Sequence, residues 1–361
     1  MQLSLALGRL GLGRTWPNPS VGALVVKNGA IVGCGSTQPG GRPHAEPVAL
    51  KQAGEAARGA TLYVTLEPCS HFGTSPPCTD AIIGAGISRV VAAIEDPNPV
   101  VAGQGFAKLR AAGITVVTGI NLHEAAYCHA GHFRRIRDHR PHVILKLALS
   151  SDHKIGASGG TPVVISGPSA RDRIHLLRAQ TDAILVGIGT VLADDPLLTC
   201  RLPGMESCSP VRVVLDSNGC IPDRSRLVTS AQQTPLWVFT SDRSNIDTSN
   251  LQAAGATIFT VRAASGSGLD LLAVLHVLAD KGITRVLVEG GSRVASSFVA
   301  ANLVDEAWLL HGKRAIGGNG IDALAELPLE QITCSRNFQI RHRESLDADL
   351  LTIYENTQRL L

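Results

Sequence analysis

The sequence lacks any run of about eighteen apolar residues, the length a helix needs to cross a bilayer, and its start lacks a basic segment followed by a long apolar core. Neither membrane insertion nor secretion is therefore expected. Cysteine is sparse: eight residues are scattered through 361, too few and too irregular for a disulfide framework, which points to a reducing, cytoplasmic setting. An excess of one charge is also missing. Thirty-three Lys and Arg stand among thirty Asp and Glu, a net charge of +3, so neither nucleic acid nor an anionic membrane is an expected partner. No internal repeat or low-complexity tract occurs. What is present is an ordinary globular composition, 44% hydrophobic and 17% charged, in a chain long enough to bury more than one core. Two domains are expected.

The most specific chemistry lies in His44-Ala45-Glu46, followed by Pro68-Cys69 and Pro77-Cys78. One imidazole and two thiolates fill three positions of a tetrahedral zinc and leave the fourth for water, whose pKa falls toward neutrality on the metal. A carboxylate two residues after the histidine, and not itself a ligand, takes the water's proton and delivers it to the ring nitrogen and departing ammonia of an amidine-like substrate. His44, Cys69 and Cys78 are thus the expected zinc ligands and Glu46 the proton shuttle of a hydrolytic deaminase. The local pattern agrees. Lys27-Asn28-Gly29 joins two short apolar strands in a hairpin, and Gly40-Gly41-Arg42-Pro43 breaks the chain before a helix from about His44 to Ala53. Thr61 to Leu66 reads as a strand that delivers Cys69, and Cys78 opens the next helix, a position that favours thiolates.

A boundary is expected near residue 140, where Pro141 ends a segment holding His123, His129, His132 and His139 among Arg134, Arg135, Arg137 and Arg140. That segment reads as a solvated helix and linker rather than a second metal site. Beyond it, strands at 143–148, 183–186, 211–216, 236–239, 256–261 and 285–289 alternate with amphipathic runs at 169–180 and 270–279, the signature of an α/β domain with a mostly parallel sheet. Ligands of such sheets bind beyond the carboxyl ends of the strands. Two strand exits suit a dinucleotide phosphate: Gly187-Ile188-Gly189-Thr190, and Gly290-Gly291-Ser292 with Arg293. The ordinary GxGxxG pattern is absent, so a nicotinamide site must be of another type.

Several further motifs make the resemblance specific. Pro17-Asn18-Pro19-Ser20-Val21-Gly22, Thr65-Leu66-Glu67-Pro68-Cys69-Ser70-His71, Pro76-Pro77-Cys78 and Asp96-Pro97-Asn98-Pro99 resemble the bifunctional deaminase/reductase family of riboflavin biosynthesis. In the second half, Lys146-Leu147, Ser151-Asp152, Leu177-Arg178-Ala179, Thr190 to Pro196 and Val288-Glu289-Gly290-Gly291 are similar to that family's reductase domain. Together they cover nearly the whole chain. The eight residues between the two cysteines separate it from most nucleoside and base-editing deaminases, which have two.

The resemblance implies a cytidine-deaminase-like three-layer α/β/α domain over 1–141 and a dihydrofolate-reductase-like α/β domain over 142–361. The first would deaminate 2,5-diamino-6-(5-phosphoribosylamino)pyrimidin-4(3H)-one; the second would use NADPH to reduce the ribosyl chain to ribityl. It further implies that Asn18, His71, Asp96 and Asn98 contact the deaminase substrate. Lys146, Asp194 and Glu289 would lie at the reacting ribose and nicotinamide, Arg178, Leu198 and Arg201 at the reductase substrate with its phosphate, and Thr190, Asp194, Ser217 and Gly291, Ser292, Arg293, Val294, Ala295, Ser296 and Ser297 at NADPH. Arg171, Arg173, Arg224 and Arg226 are candidates for the cofactor's 2′-phosphate, and a homo-oligomer is expected. Three departures stand out. Thr74 replaces a Lys or Arg of the inter-cysteine loop, which predicts weaker substrate binding. His153 follows Asp152 where glycine is common, in a turn that favours positive φ. Val164 replaces a tryptophan, with Pro162 nearby where a polar residue is expected. Two other readings remain: a nucleotide deaminase whose C-terminal half is not catalytic, and a zinc-stabilised scaffold, against which the unliganded Glu46 argues.

Overall fold

The structure, a computed structural model, describes residues 1–158, 163–243, 246–264 and 268–359. Pro162 lies outside the described residues. The chain forms two compact units, Met1–Arg140 together with Ala279–Thr284, and Pro141–Leu278 together with Arg285 onward.

The first unit is built on strands β1 (Gly22–Lys27), β2 (Ala30–Ser36), β3 (Thr61–Val64), β4 (Arg89–Ala92) and β5 (Thr115–Thr118). They form one sheet in the order β2-β1-β3-β4-β5, with β1 antiparallel to both neighbours and β3, β4 and β5 parallel. Asn28 and Gly29, at φ 52° and 80°, make the β1–β2 turn, the pair of positive φ values that a two-residue hairpin requires. The helices are α1 (Gln2–Arg9), α2 (Ala45–Ala53), α3 (Cys78–Gly84), α4 (Gln104–Ala111), α5 (Leu122–Cys128) and α6 (Ala130–Asp138). Helix α1 packs with α5, and α2, α3 and α4 pack in succession, giving three layers. Ala23, Val25, Leu62, Val64, Val90 and Ala92 fill the core with Ala45, Ala49, Ile82, Leu109 and Ala125 from the helices.

Helix α2 sits unusually close to β2. A Cβ on Gly33 would lie 2.2 Å from the Ala49 carbonyl oxygen, and one on Gly35 would lie 2.4 Å from that of Ala45. Glycine on the strand and alanine at a four-residue interval on the helix let backbone meet backbone.

The second unit contains β6 (His142–Leu149), β7 (Lys154–Ala157), α7 (Pro168–Ala179), β8 (Ala183–Gly187), α8 (Ile188–Asp194), β9 (Val211–Leu215), α9 (Arg226–Thr229), β10 (Leu236–Ser241), α10 (Ser249–Ala253) and β11 (Thr257–Val261). It continues with α11 (Leu271–Asp280), β12 (Arg285–Glu289), α12 (Ser292–Ala300), β13 (Glu306–His311), β14 (Gly320–Asp322), α13 (Glu330–Thr333), β15 (Phe338–Leu346) and β16 (Asp349–Asn356). Among the described residues the main sheet runs β11-β10-β9-β8-β12-β6-β13-β16-β15, and β14 pairs with β7 separately. The strands from β11 to β13 are mutually parallel, and β16 and β15 add an antiparallel edge. Every strand read from the sequence is present; β6, β8, β9, β10 and β12 are buried along most of their length, as near-continuous apolar runs require, whereas the edge strand β11 is buried only at Val261. The strands after residue 300 were not read from the sequence; β15 is polar and half exposed, whereas β13 and β16 are buried.

Candidate functional site

The deaminase ligands converge as their elements dictate. His44 is the residue before the first turn of α2, Cys69 follows β3 by five residues, and Cys78 is the first residue of α3. Their ligand atoms lie within 4.8 Å of one another. His44 Nδ1 is 3.3 Å from Cys78 Sγ and 3.7 Å from Cys69 Sγ. A tetrahedral zinc with bonds of about 2.0 to 2.3 Å would hold neighbouring ligand atoms roughly 3.5 to 3.8 Å apart, so the donor set fits the metal in both chemistry and spacing. The backbone N–H of Cys78 donates to Cys69 Sγ at 3.3 Å. Hydrogen bonding from Cys78 holds the Cys69 thiol down to about 4, with His44 assisting. The same contact and burial push the Cys78 thiol up, and a divalent cation would bind both sulfurs as thiolates.

Glu46 is the second residue of α2, buried to 4% exposure and outside the ligand triad. Burial, reinforced by the Cys69 charge, raises its carboxyl to about 7. An acid poised near neutrality beside a metal site is suited to carry a proton in either direction.

The expected substrate contacts are placed by a second set of bonds. Asn18 Nδ2 donates to the Gly41 carbonyl at 3.0 Å, tying its loop to the turn before His44. Asp96 Oδ1 accepts from the Asn98 backbone N–H at 2.8 Å and meets His132 Nε2 at 3.0 Å. Glu67, which the sequence did not single out, organises this loop: its carboxylate accepts backbone N–H groups from Gly103 at 3.0 Å, Phe106 at 3.1 Å and Asp96 at 3.3 Å. His71 lies exposed in the inter-cysteine loop with Phe72, Gly73 and Thr74.

The segment 122–140 requires correction. It is not a solvated helix and linker: α5 and α6 are separated only by His129, and His129 and His132 are buried at 2% and 8% exposure. His129 Nε2 meets Thr65 Oγ1 at 3.1 Å. The arginines drew attention to a charged face, and the buried histidines on the other face carried no distinguishing signal.

In the second unit the parallel strands bring their carboxyl ends to one edge, and there the two glycine turns are neighbours because β8 and β12 are adjacent. A Cβ on Gly187 would come within 2.7 Å of Val294, and Cβ atoms on Gly290 and Gly291 would each lie 3.3 Å from Thr190 Oγ1. Gly290 and Gly291 have φ of 93° and 79°, and Ser292 Oγ at the start of α12 is buried without a hydrogen-bond partner. Positive-φ glycines, a free hydroxyl and the unpaired N–H groups of a helix start fit a dinucleotide phosphate. Not all of the expected run faces this cradle. Ala295 and Ser296 turn into the core, Ser296 Oγ accepting from the Ala325 N–H at 2.7 Å, and Ser297 Oγ donates back to the Arg293 carbonyl at 2.9 Å. Ser217 follows β9 at the same edge, and Asp194 ends α8, exposed.

Lys146 and Glu289 are register partners on β6 and β12. Burial lowers the Lys146 ammonium, against the pull of Glu289. Burial likewise works to raise Glu289, but Arg178 and Lys146 outweigh it and hold the carboxylate down to about 2. Arg178 grips Glu289 with Nε at 2.9 Å and a terminal nitrogen at 2.7 Å, while its other terminal nitrogen donates to the Thr199 carbonyl at 3.1 Å. Its fork is therefore occupied, and the expected role as a phosphate clamp does not suit it while that pair stands. Arg201 is next to it, with its backbone N–H donating to His175 Nδ1 at 3.2 Å. Leu198 is buried at φ 56° in the same loop. Of the 2′-phosphate candidates, Arg173 is engaged by Glu344 at 3.2 Å and by the Trp308 ring at 4.5 Å, whereas Arg171, Arg224 and Arg226 are exposed. His153 does adopt a positive φ, 61°, and Val164 is 65% exposed.

Both halves of the chain are similar to known proteins. Residues 1–94 match the cytidine and deoxycytidylate deaminase zinc-binding region, and residues 141–352 match the RibD C-terminal domain. The riboflavin biosynthesis protein RibD of Aquifex aeolicus is 40% identical over 355 residues, 98% of this chain and 97% of that protein. RibD of Escherichia coli is 39% identical over 358 residues, 95% of each. Among solved structures, Acinetobacter baumannii RibD superposes with a TM-score of 0.86 at 33% identity, covering 99% of this chain and 98% of that one. The diaminohydroxyphosphoribosylaminopyrimidine deaminase/5-amino-6-(5-phosphoribosylamino)uracil reductase of Thermotoga maritima gives 0.85 at 35% identity, covering 99% and 97%.

Proposed function

Because the chain belongs to the bifunctional family of riboflavin biosynthesis, with a zinc-dependent deaminase and an NADPH-dependent reductase activity, we propose that residues 1–141 carry the deaminase and 142–361 the reductase, with the residue roles that follow. In the deaminase, His44, Cys69 and Cys78 would hold zinc, which would supply the Lewis acidity that activates water as the nucleophile. Glu46 takes one proton from that water and passes it to the ring nitrogen as the C–O bond forms, then takes the second from the new hydroxyl and passes it to the amino group, which leaves as ammonia when the C–N bond breaks. Its burial keeps the carboxyl near the pH at which both transfers are feasible. Asn18, His71, Asp96 and Asn98 orient the pyrimidine and ribose, and Glu67 and His132 fix the loop that presents Asp96 and Asn98.

In the reductase, NADPH supplies the hydride when bound. Thr190, Ser217, Gly291, Ser292, Arg293 and Val294 hold the cofactor, with Arg224 or Arg226 at its 2′-phosphate and Asp194 at the rim. Reduction requires the ribosylamine to open: the C1′–O4′ bond breaks, O4′ takes a proton, and the resulting iminium accepts hydride at C1′. Lys146 gives the proton, since burial makes its ammonium a better acid than a free lysine. Glu289 keeps that ammonium charged and in place, Arg178 fixes Glu289, and Arg201 with Leu198 meets the substrate. The enzyme acts as a homo-oligomer in the cytoplasm, on a small molecule; among the described residues no helix is long and apolar enough to cross a membrane.

The convergence of three metal ligands beside a buried, unliganded acid carries this reading. The test follows ammonia release and NADPH oxidation together on zinc-loaded protein. Glu46→Gln is expected to lose ammonia release by at least about a hundredfold while still reducing the pre-deaminated uracil substrate. Ammonia release without NADPH consumption, even with that second substrate supplied, would leave a deaminase with a non-catalytic second half.

A further inference from the structure

The deaminase substrate carries a phosphate on its ribose, yet the loop between the two cysteine ligands, Ser70 to Pro77, contains neither lysine nor arginine. That loop lies at the mouth of the metal site, with His71, Phe72, Gly73 and Thr74 exposed. A cation reaches it from elsewhere in the chain. One terminal nitrogen of Arg42 donates to the Ser75 hydroxyl, and the other lies 3.6 Å from where a Cβ on Gly73 would stand. Arg42 precedes the ligand His44 by two residues and is half-buried, and among the described residues no carboxylate pairs with it. Its own turn is anchored to the site, because the Gly41 carbonyl accepts from Asn18 Nδ2 at 3.0 Å.

A guanidinium held in place by a hydroxyl, with N–H groups unspent and no acid to neutralise it, is a preorganised anion receptor. We propose that Arg42 binds the 5′-phosphate of the deaminase substrate, supplying from the turn before α2 the charge that Thr74 does not supply from the loop. Ser75 is the positioning residue that aims the guanidinium over Gly73. This assignment rests on the deaminase reading above and specifies how that site selects a phosphorylated substrate. It also replaces the expectation that Thr74 simply weakens binding.

The test measures ammonia release by full-length, zinc-loaded protein on the diaminopyrimidine ribosyl phosphate and on its dephosphorylated form. Ammonia release by the unmodified enzyme checks the deaminase reading by itself. Arg42→Gln is expected to raise KM for the phosphorylated substrate by about 10- to 100-fold with kcat little changed, the loss expected for a charge-assisted contact. The dephosphorylated substrate should show no such gap between the two proteins. Adding Thr74→Lys to Arg42→Gln should restore most of the lost affinity, which a folding defect would not allow. In a Glu46→Gln background, where substrate binds without turnover, calorimetry should show the same loss of affinity on Arg42→Gln. An unchanged KM, or an equal penalty on both substrates, would overturn the assignment.

Discussion

Arg178 and Glu289 form a two-pronged ion pair, 2.9 and 2.7 Å, at the carboxyl edge of the reductase sheet, with only 13% and 10% of their side chains exposed. The pair keeps a carboxylate ionised beside a buried lysine. Removing one partner of a buried pair typically costs about 3 to 5 kcal/mol, because the other is left charged in a poor solvent. Arg178→Met should therefore lower the melting temperature of the reductase half and abolish NADPH oxidation, with ammonia release retained. The pair also sets a pH limit. Glu289 is held at about 2, below its ordinary 4.5, so its contribution is complete above pH 4.5 and fades as pH falls toward 2. Thermal unfolding followed from pH 6 to 3 should show this slope in the parent and not in Glu289→Gln. Matching slopes would mean that Glu289 does not gain stability from ionisation.

Stripping the metal should separate the two activities. Dialysis against a chelator is expected to end ammonia release and lower the stability of the first unit, since three ligands from three separate elements lose their common tie. NADPH oxidation with the uracil substrate should persist. A parallel loss of both activities would contradict the separation of roles proposed here.

His132 holds Asp96 at 3.0 Å from a buried position on α6. His132→Phe keeps the bulk and removes that contact. It is expected to raise deaminase KM by about tenfold through a misaimed Asp96, at a stability cost of about 1 kcal/mol, since the buried carboxylate loses one partner and keeps the Asn98 N–H. His132→Gln, which can still donate, should recover much of the loss. Equal defects in the two variants would mark His132 as a packing residue alone.

His175 is a pH-sensitive support for the reductase substrate loop. Its Nδ1 accepts the Arg201 backbone N–H, which requires the neutral ring. Burial, with Arg178 and Arg201 adding, lowers its pKa below the ordinary 6.5. A group lowered in this way contributes fully above 6.5 and loses its contribution as pH falls through its folded value. Reductase KM should therefore rise below pH 6.5 while kcat for ammonia release follows its own profile. His175→Asn, whose amide oxygen can accept the same N–H, should flatten that rise; an unchanged profile would remove His175 from this role.

The chemistry of the first site was legible because metal ligation restricts residue type and spacing so tightly that a few positions suffice. His44, Glu46, Cys69 and Cys78 could be read before any geometry was known, as could the strands that bury both faces. Glu67 and His132 were not legible. Their work is to hold a loop through bonds to backbone N–H groups and to one carboxylate, and such bonds leave no spacing rule in the chain. Arg178 was read as a phosphate ligand because its residue type suits one; only register and distance show that Glu289 already occupies it. The two glycine turns read as separate weak signals, since nothing in their order reveals that β8 and β12 lie side by side. Ala295 and Ser296 were counted with the cofactor for a similar reason: a continuous run of residues on a helix cannot all face one ligand.

The seat of α2 on β2 has a practical corollary for anyone mapping loss of function. Gly33 and Gly35 touch no ligand and face the helix backbone, yet a single methyl at either would have to displace α2, and with it His44 and Glu46. A random screen for strains that cannot release ammonia should therefore recover lesions on a strand remote from the pocket, in protein that still takes up zinc weakly. Such alleles would be misfiled as folding mutants unless the reductase, intact in the same polypeptide, were assayed alongside.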